Sequence, residues 1–296
     1  MTINDLKPEL LWKHFYALTQ IPRPSHHEEK AIAYVLEFAS AHKLEHIQDA
    51  TGNVIVRKPA TPGFEARKTV TLQGHLDIVP QKNSGIEHNF ISDPLNVFID
   101  GDWLTAKDTT LGADNGIGVA AALAVLEAKD LKHGPIEALF TINEEAGMEG
   151  AFGLEPNTLQ GDILLNLDSE DEGELYVGCA GGINVSGTFQ NITEPIPENF
   201  KCYELSLKGL KGGHSGLDIN LERGNANKLI FRIIKDLVKE DLVRIVSLNC
   251  GSLRNAIPRE AFIVLAIDPA NLDAINTKIT AFQSVISKEL LNTEPK

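Results

Sequence analysis

The chain has 296 residues, of which 43% are hydrophobic and 23% charged, a balance typical of a globular protein with enough apolar material for one large domain or two ordinary ones. Its formal net charge of -14 at pH 7 argues against a nucleic-acid partner, because it would repel phosphates. The sequence has no long apolar run, so we expect no membrane partner either.

The N-terminus and the cysteines indicate a compartment. The opening MTINDLKPELLWKHF has no basic start, apolar stretch or small-residue cleavage site, so no secretory signal is predicted. Cys179, Cys202 and Cys250 are an odd number without CxxC spacing, which does not favour a disulfide framework. The predicted compartment is the cytoplasm.

The first part of the chain predicts alternating helices and strands. A helix is predicted from Pro8 to about Leu18, ending before the prolines of residues 21–24. A second helix is predicted to start at Ser25, because Ser25 and Glu28 have capping-box spacing. Such alternation predicts an α/β fold with a mainly parallel sheet flanked by helices. The further predictions are strands at 53–57, 69–73, 136–142 and 163–167, a hairpin at 96–105 and a helix at 117–128.

The pattern changes after residues 179–182. Strands now outnumber helices and follow one another closely, which predicts a smaller α+β unit with antiparallel strands. We therefore predict a domain boundary near residue 183, which divides residues 1–182 from residues 183–296. The predictions for the second part are strands at 183–189, 203–207, 244–249 and 261–267, and helices at 225–239 and 272–290.

Acidic residues or a histidine follow four predicted strands or hairpins of the first part. In open parallel sheets, ligands bind beyond the carboxyl ends of the strands. Unrelated loops would seldom bring such a set to one sheet edge, so we predict a functional site there. The residues concerned are His75 and Asp77, then Asp114, then Glu144 and Glu145, and finally Asp168.

Each of these residues also has an ordinary structural explanation. His75 alone could be a surface histidine or a hydrogen-bonded core histidine, and Asp114 could be a helix N-cap. Glu144 and Glu145 could be a solvated helix start. If residues 75–77 are extended, Asp77 lies on the same side as His75 and can fix its tautomer.

The adjacent acids Glu144 and Glu145 favour metal chemistry. Two carboxylates at the end of a buried strand repel each other unless cations or protons compensate. One can bind a metal while the other takes a proton from a water whose pKa zinc lowers to roughly 7. Histidine with carboxylates suits zinc, manganese or cobalt, and the absence of nearby cysteines excludes a thiolate structural zinc site.

Six ordered segments carry a resemblance along the whole chain. Together they resemble the aminoacyl-histidine dipeptidases, also called Xaa-His dipeptidases or peptidase D. These belong to the zinc peptidase clan that includes the aminoacylases and carboxypeptidase G. The segments are GHLDIVPQKN (74–83), TTLGADNGIG (109–118), NEEAGMEGAFGL (143–154), DSEDEGELYVGCAGG (168–182), LKGLKGGHSG (207–216) and LRNAIPREAF (253–262).

The resemblance implies roles for the residues of the first part. Two divalent ions, zinc with manganese or cobalt as alternatives, would be bound by His75, Asp114, Glu145 and Asp168. Asp114 would bridge the two ions. The resemblance also implies that residues 1–182 form the N-terminal part of a catalytic metallopeptidase domain. The residues implied in catalysis are Asp77, which would orient His75, and Glu144, the general base and acid.

The same resemblance implies that residues 183–296 are part of a lid and dimerisation domain. In it His214 would help polarise the scissile carbonyl, and Asn255 and Arg259 would lie near the substrate. Without the resemblance, residues 212–216 read as only a flexible turn.

Two features depart from the family pattern. Asp108 stands where a glycine is usual and could perturb its loop. The family's chain is also longer and supplies a last metal-binding histidine, whereas no histidine follows His214 here. We therefore expect a C-terminally truncated chain in which both domains are incomplete and the second metal lacks a protein ligand.

Three functional hypotheses follow. The first is a metal-dependent dipeptidase, acting on Xaa-His and other dipeptides, with a homodimer as one option. The second is a truncated or inactive fragment that serves at most as a metal-binding or dimerising module, with weak occupancy of the second metal and little hydrolysis. The third is a related N-acyl amino acid deacylase or carboxypeptidase, because specificity depends on pocket contacts and not on the metal site.

Overall fold

A computed structural model describes residues 3–169, 171, 173–178, 183 and 185–294. The chain forms two compact units, Met1–Gly181 and Gly182–Lys296. The motif at 179–182, with Cys179, lies outside the described residues. Cys202 and Cys250, the cysteines that are described, are both free thiols. Among the described residues, no helix is long and apolar enough to cross a membrane.

A five-stranded sheet forms the centre of the first unit. Its strands are β1 (Glu45–Gln48), β2 (Val54–Lys58), β3 (Val70–His75), β6 (Ile136–Thr141) and β7 (Ile163–Asn166), and a separate hairpin consists of β4 (Val97–Asp100) and β5 (Trp103–Ala106). The strand order is β1-β2-β6-β3-β7. Strand β2 is antiparallel to β1 and β6, while β3 is parallel to β6 and β7. Four strands therefore run in one direction and one runs in the other.

Helices pack against this sheet and confirm the α/β class. Alternate sheet residues such as Val54, Val56 and Phe140 point into one core with the helices, as the period of two in a strand requires. Three longer helices supply most of the rest of that core, and two short helices follow β6. The helices are α1 (Glu9–Thr19), α2 (Glu29–Ala41), α3 (Ala113–Glu127), α4 (Glu144–Gly147) and α5 (Glu149–Phe152).

The second unit has an antiparallel sheet of order β8-β10-β9, covered by two helices. Helix α6 carries a continuous apolar face that includes Ile230, Ile234 and Leu237, and Asn225 caps its start by accepting a hydrogen bond from the Lys228 N–H. The predicted α+β pattern is thus confirmed. The elements are β8 (Lys201–Leu207), α6 (Ala226–Lys239), β9 (Val243–Cys250), β10 (Ala261–Ile267) and α7 (Leu272–Glu289).

Three sequence-based predictions were wrong or incomplete. The predicted strand at 183–189 does not form in its described residues, which are exposed, and a β-like pattern without a paired neighbour forms no ladder. Strand β1 was missed because its Glu-His-Ile-Gln sequence lacks hydrophobic alternation. Helix α2 begins at Glu29 and not at Ser25, because Ser25 is used elsewhere.

Asp108 lies in a loop that is hydrogen-bonded to Asn83. Its φ of 62° places it in the left-handed region, which glycine prefers and aspartate tolerates. The Asn83 backbone N–H donates to its carbonyl at 3.0 Å, and the Asn83 side chain donates to its carboxylate at 3.2 Å. A glycine would take this left-handed conformation more readily than an aspartate.

We expect His14 to make the first unit acid-sensitive. Its imidazole is buried between the Tyr34 hydroxyl, 2.9 Å from Nδ1, and the Glu127 carboxylate, 2.8 Å from Nε2. Burial lowers the pKa of His14 below 6.5 despite Glu127. Unfolded His14 gains a proton below pH 6.5 while folded His14 stays neutral, so its contribution to stability is lost as pH falls.

Calorimetry at pH 7 and pH 5 checks this prediction. The His14→Gln variant should have a lower Tm at pH 7, since two buried hydrogen bonds are lost. Its Tm should also fall less than that of the parent between pH 7 and pH 5. An equal fall in both proteins would show that His14 does not carry the acid sensitivity.

Candidate metal centre

The end of β3 places His75 at the centre of the predicted site. The side chain is 1% exposed, and Nε2 lies 2.9 Å from Asp114 Oδ1. Nδ1 lies 3.1 Å from the Asp77 carbonyl oxygen and 3.3 Å from Asp77 Oδ1. Both ring nitrogens therefore face oxygen atoms, which fixes the orientation of the ring.

The structure brings the other predicted residues to this histidine. His75 Nε2 is 3.7 Å from Asp168 Oδ1 and 4.0 Å from Glu144 Oε2. Two groups of potential ligand atoms share His75, and within each group all atoms lie within 4.8 Å of one another. The expectation that strand ends place these residues together therefore agrees with the geometry. The groups are His75 with Asp114 and Asp168, and His75 with Glu144 and Glu145.

Asp77 does more than orient His75. Its buried carboxylate accepts the backbone N–H of Glu144 at 3.0 Å and that of Glu145 at 3.1 Å. It therefore caps the first turn of α4, which carries both glutamates. Burial would raise the pKa of Asp77, but hydrogen bonds led by that from His75 outweigh burial and lower it. One carboxylate thus couples the histidine to the two acids.

Residues 22–28 form hydrogen bonds to the segments that carry the site, a role that the sequence did not predict. The Ser25 hydroxyl donates to Asp77 Oδ2 at 2.8 Å. Glu28, also buried, accepts the backbone N–H of Asn143 at 3.0 Å, just before Glu144. The predicted capping box of Ser25 and Glu28 is therefore wrong, because both side chains bond to the site instead of to α2. The prolines on either side of Arg23 restrict the backbone and could have predicted a rigid loop here.

Asn115 ties the start of α3 to the end of β7. Its side-chain amide donates to the Leu167 carbonyl at 2.8 Å and to Asp168 Oδ1 at 2.5 Å. A Cβ at Gly74 or Gly118 would fall 2.4 Å from Asn115 Oδ1, so both glycines leave the space that this side chain needs. No sequence pattern predicts this role for Asn115. The peptide bond between Asp114 and Asn115 is cis.

Asp114 lies at the start of α3 and faces His75. Helix α3 follows Gly112, which takes a left-handed φ of 71°. Asp114 is half exposed, while its Oδ1 approaches His75. The backbone of Asp114 is extended, with φ -82° and ψ 109°, and Asn115 is also non-helical, so the regular turns of α3 begin after these two residues.

The electrostatics of the cluster favour a cation. Burial, joined by the charge of Asp114, raises the pKa of Glu145 to about 8, and burial also raises the pKa of Glu144 and of Asp168. Burial would lower the pKa of His75, but hydrogen bonds to Asp114 and Asp77 raise it to about 10. The raised pKa values mean that bound protons reduce the repulsion among these carboxylates. Divalent cations would reduce the same repulsion and suit the same donor atoms.

In the second unit, two loops bring the predicted lid residues close together. The Ser215 N–H donates to the Asn255 carbonyl at 2.9 Å, and the Ile257 N–H donates to the Gly213 carbonyl at 2.8 Å. A Cβ at Gly212 would lie 3.3 Å from Arg259 Cβ. The glycine-rich segment 212–216 is therefore hydrogen-bonded to the segment that carries Asn255.

The His214 ring is held in one tautomer. Its Nδ1 accepts the backbone N–H of Gly216 at 3.1 Å and that of Leu217 at 3.2 Å. A nitrogen that accepts two hydrogen bonds carries no proton, so the hydrogen of the neutral ring is on Nε2. Asp218, which the sequence reading missed, accepts the His214 backbone N–H at 2.8 Å and pairs with Arg223 at 2.9 Å. Nε2 is thus a fixed donor.

Comparison with known families gives two matches. The model of peptidase family M20/M25/M40 matches residues 71–230, more than half of the chain. The model of a peptidase dimerisation domain matches residues 205–294.

Individual relatives agree with these matches. The chain is 48% identical to the cytosol non-specific dipeptidase of Escherichia coli over 292 residues, which is 99% of this chain and 60% of the relative. It is similar to the crystal structure of aminoacylhistidine dipeptidase from Vibrio alginolyticus, with 50% identity and a TM-score of 0.60 over 99% of this chain and 60% of that one. An uncharacterised Bacillus subtilis protein, YqjE, is 30% identical over 57% of this chain and 46% of its own length. The chain thus spans about three fifths of the length of its two more similar relatives.

Proposed function

The chain belongs to peptidase family M20/M25/M40, and from that premise we propose that it carries the metal site of a dipeptidase. The proposed substrates are dipeptides of the Xaa-His type and others, because the similar proteins from Escherichia coli and Vibrio alginolyticus bear dipeptidase names. The observation that carries the proposal is the approach of four acids to one buried histidine.

The proposed metal ligands suit divalent ions, and two ions are proposed. They combine one imidazole with carboxylates, which suits zinc, with manganese or cobalt as alternatives. Bound divalent ions lower the pKa of water, polarise a carbonyl and orient the substrate. Asp77 fixes the ring of His75 through Nδ1, so that Nε2 faces the ligand side. The proposed ligands are His75, Asp114, Glu145 and Asp168.

Glu144 is the proposed general base and acid. Its position at the start of α4 is fixed by the hydrogen bond from its N–H to Asp77, while its carboxylate is part of the cluster. Burial raises the pKa of Glu144, which favours a carboxylate that accepts a proton from water and then releases it. The water oxygen adds to the peptide carbon, and the same proton passes to the departing amine as the C–N bond breaks.

The second unit is proposed as a lid and dimerisation domain, with residues 1–182 as the N-terminal part of the catalytic domain. Asn255 and Arg259 are proposed to bind the substrate, and the Nε2–H of His214 is proposed to donate to the scissile carbonyl. The match to a dimerisation domain supports a homodimer. The cytosolic name of the Escherichia coli relative supports a cytoplasmic location.

Replacing His214 should slow catalysis without loss of metal. The His214→Ala variant is expected to lower kcat by about 100- to 1,000-fold, the usual cost of removing one donor to a developing oxyanion. Metal content measured by mass spectrometry should not change. A Lys208→Ala variant, altered outside the 212–216 segment, serves as the control. Unchanged kcat in the His214→Ala protein would remove this residue from the proposal.

A metal titration followed by a dipeptide panel tests the function. The protein is stripped of metal with a chelator and reloaded with zinc, manganese or cobalt. It is then assayed with Xaa-His dipeptides, other dipeptides and N-acyl amino acids. We expect metal-dependent hydrolysis of dipeptides. Hydrolysis of N-acyl amino acids alone would favour a deacylase, and metal binding without any hydrolysis would favour a non-catalytic module.

A further inference from the structure

Arg23 lies beneath the proposed metal centre and joins two of its ligand-bearing segments. The side chain is 1% exposed and is among the largest fully buried side chains of the described residues. Its Nη1 donates to the Leu76 carbonyl at 2.8 Å and to the Asp77 carbonyl at 3.3 Å. Its Nη2 donates to the Gly112 carbonyl at 2.7 Å. One rigid guanidinium thus holds the residues after His75 against the loop that leads to Asp114.

Two glycines leave the space that this guanidinium fills. A Cβ at Gly116 would lie 2.5 Å from Arg23 Nη2, and a Cβ at Gly112 would lie 3.1 Å from the same atom. Gly112 also has a φ of 71°, which side chains rarely adopt. Gly116 therefore makes room for Arg23, and Gly112 does so while also taking a backbone conformation that favours glycine.

The charge of Arg23 is buried beside acids but paired with none at short range. Within the part of the chain that the structure describes, no carboxylate oxygen lies within 4.0 Å of its nitrogens, and its hydrogen bonds go to carbonyl oxygens. Burial lowers the pKa of Arg23 to about 10, with Asp77 and Asp114 opposing that effect, so the group is charged at neutral pH. An isolated buried cation is costly, and the nearby acids are its compensation.

We propose that Arg23 is a positioning residue that preforms the metal centre by fixing the spacing between His75 and Asp114 before metal binds. The inference rests on the proposed function. A guanidinium suits this task because its planar fork bonds two segments at once, whereas a lysine ammonium is a point charge on a flexible stem. The fixed positive charge also lowers the repulsion within the acidic cluster.

The test is a Co²⁺ titration of the metal-stripped full chain, followed through the visible absorption of the bound ion. Three variants perturb the contact differently. Arg23→Met removes the positive charge. Arg23→Lys keeps a positive charge but lacks the planar guanidinium. Gly116→Ala keeps Arg23 and adds a Cβ that displaces its guanidinium. The control is Arg57→Met, since Arg57 is a partly buried arginine that pairs with Glu137 and Glu45 on the sheet. Circular dichroism and Tm establish that each variant is folded.

We expect all three site variants to weaken Co²⁺ binding by about 10- to 100-fold and to shift the absorption spectrum, as outer partners of metal ligands usually do. Arg57→Met should lower Tm and leave Kd and the spectrum unchanged. If Arg23→Met does not fold, Arg23→Lys and Gly116→Ala decide. Folded variants with the parent's Kd and spectrum would overturn the inference. A parent chain that binds no Co²⁺ would instead contradict the proposed function itself.

Discussion

Replacing Glu144 by glutamine is expected to lower kcat for dipeptide hydrolysis by about 100- to 10,000-fold, the usual contribution of a general acid–base group. The variant keeps the shape of the side chain. The backbone N–H of residue 144 still donates to the Asp77 carboxylate. The variant loses only the ability to accept and return a proton. KM should change little, because the substitution removes an interaction of the transition state.

The measurement combines steady-state kinetics with metal analysis of the same samples. Glu144→Gln should retain bound metal close to that of the parent. Glu155→Gln, an exposed glutamate replaced in the same way, is the control and should retain full activity. If Glu144→Gln turns over dipeptides at the parent's rate, another group moves the proton. If it loses the metal, Glu144 is a ligand and not the base.

Replacing Glu145 by glutamine should have opposite effects on the metal-free and metal-loaded proteins. Folded Glu145 keeps its proton up to a pKa of about 8, whereas the unfolded chain releases it near 4.5. Between these two values the unfolded state binds fewer protons, so metal-free stability falls as pH rises. Glutamine does not titrate. The metal-free variant should therefore have a higher Tm than the metal-free parent at pH 8.

In the metal-loaded proteins, the parent should instead have a higher Tm than the Glu145→Gln variant. Loss of a ligand should weaken metal binding by more than the roughly 10- to 100-fold cost of losing an outer partner. A ligand at free concentration L that binds the folded state stabilises it by RT ln(1 + L/Kd), so the loaded parent, which binds metal more tightly, should have the higher Tm. Thermal unfolding at pH 8, with chelator and with added zinc, measures both effects. A variant less stable than the parent in chelator would show that the Glu145 charge is already compensated without metal.

The chemistry of the centre could be read from the sequence because strand ends and acids coincide there. His75 ends β3, Glu144 follows β6 and Asp168 follows β7, and parallel strands bring these ends to one edge. The mixed direction of the sheet was less predictable. β1 has no alternating pattern, and the pairing of β2 depends on distant residues.

The support beneath the centre could not be predicted from local patterns. Ser25 and Glu28 have the spacing of a capping box, yet long-range hydrogen bonds to Asp77 and Asn143 compete for the same side chains and prevail. Arg23 gives no sequence signal of burial, since arginine is rarely buried. Only the folded structure shows that Gly112 and Gly116 make room for it.

One edge of the first sheet is proposed to be a metal centre built around His75. The most direct measurement is equilibrium dialysis of the metal-stripped protein against zinc, with bound metal counted by mass spectrometry, for the parent and for His75→Ala. His14→Gln is a matched control, because His14 is equally buried but lies outside the acidic cluster. We predict that the parent and His14→Gln bind zinc and that folded His75→Ala loses most of it. Folded parent protein without zinc, or His75→Ala with zinc bound as in the parent, would contradict the claim.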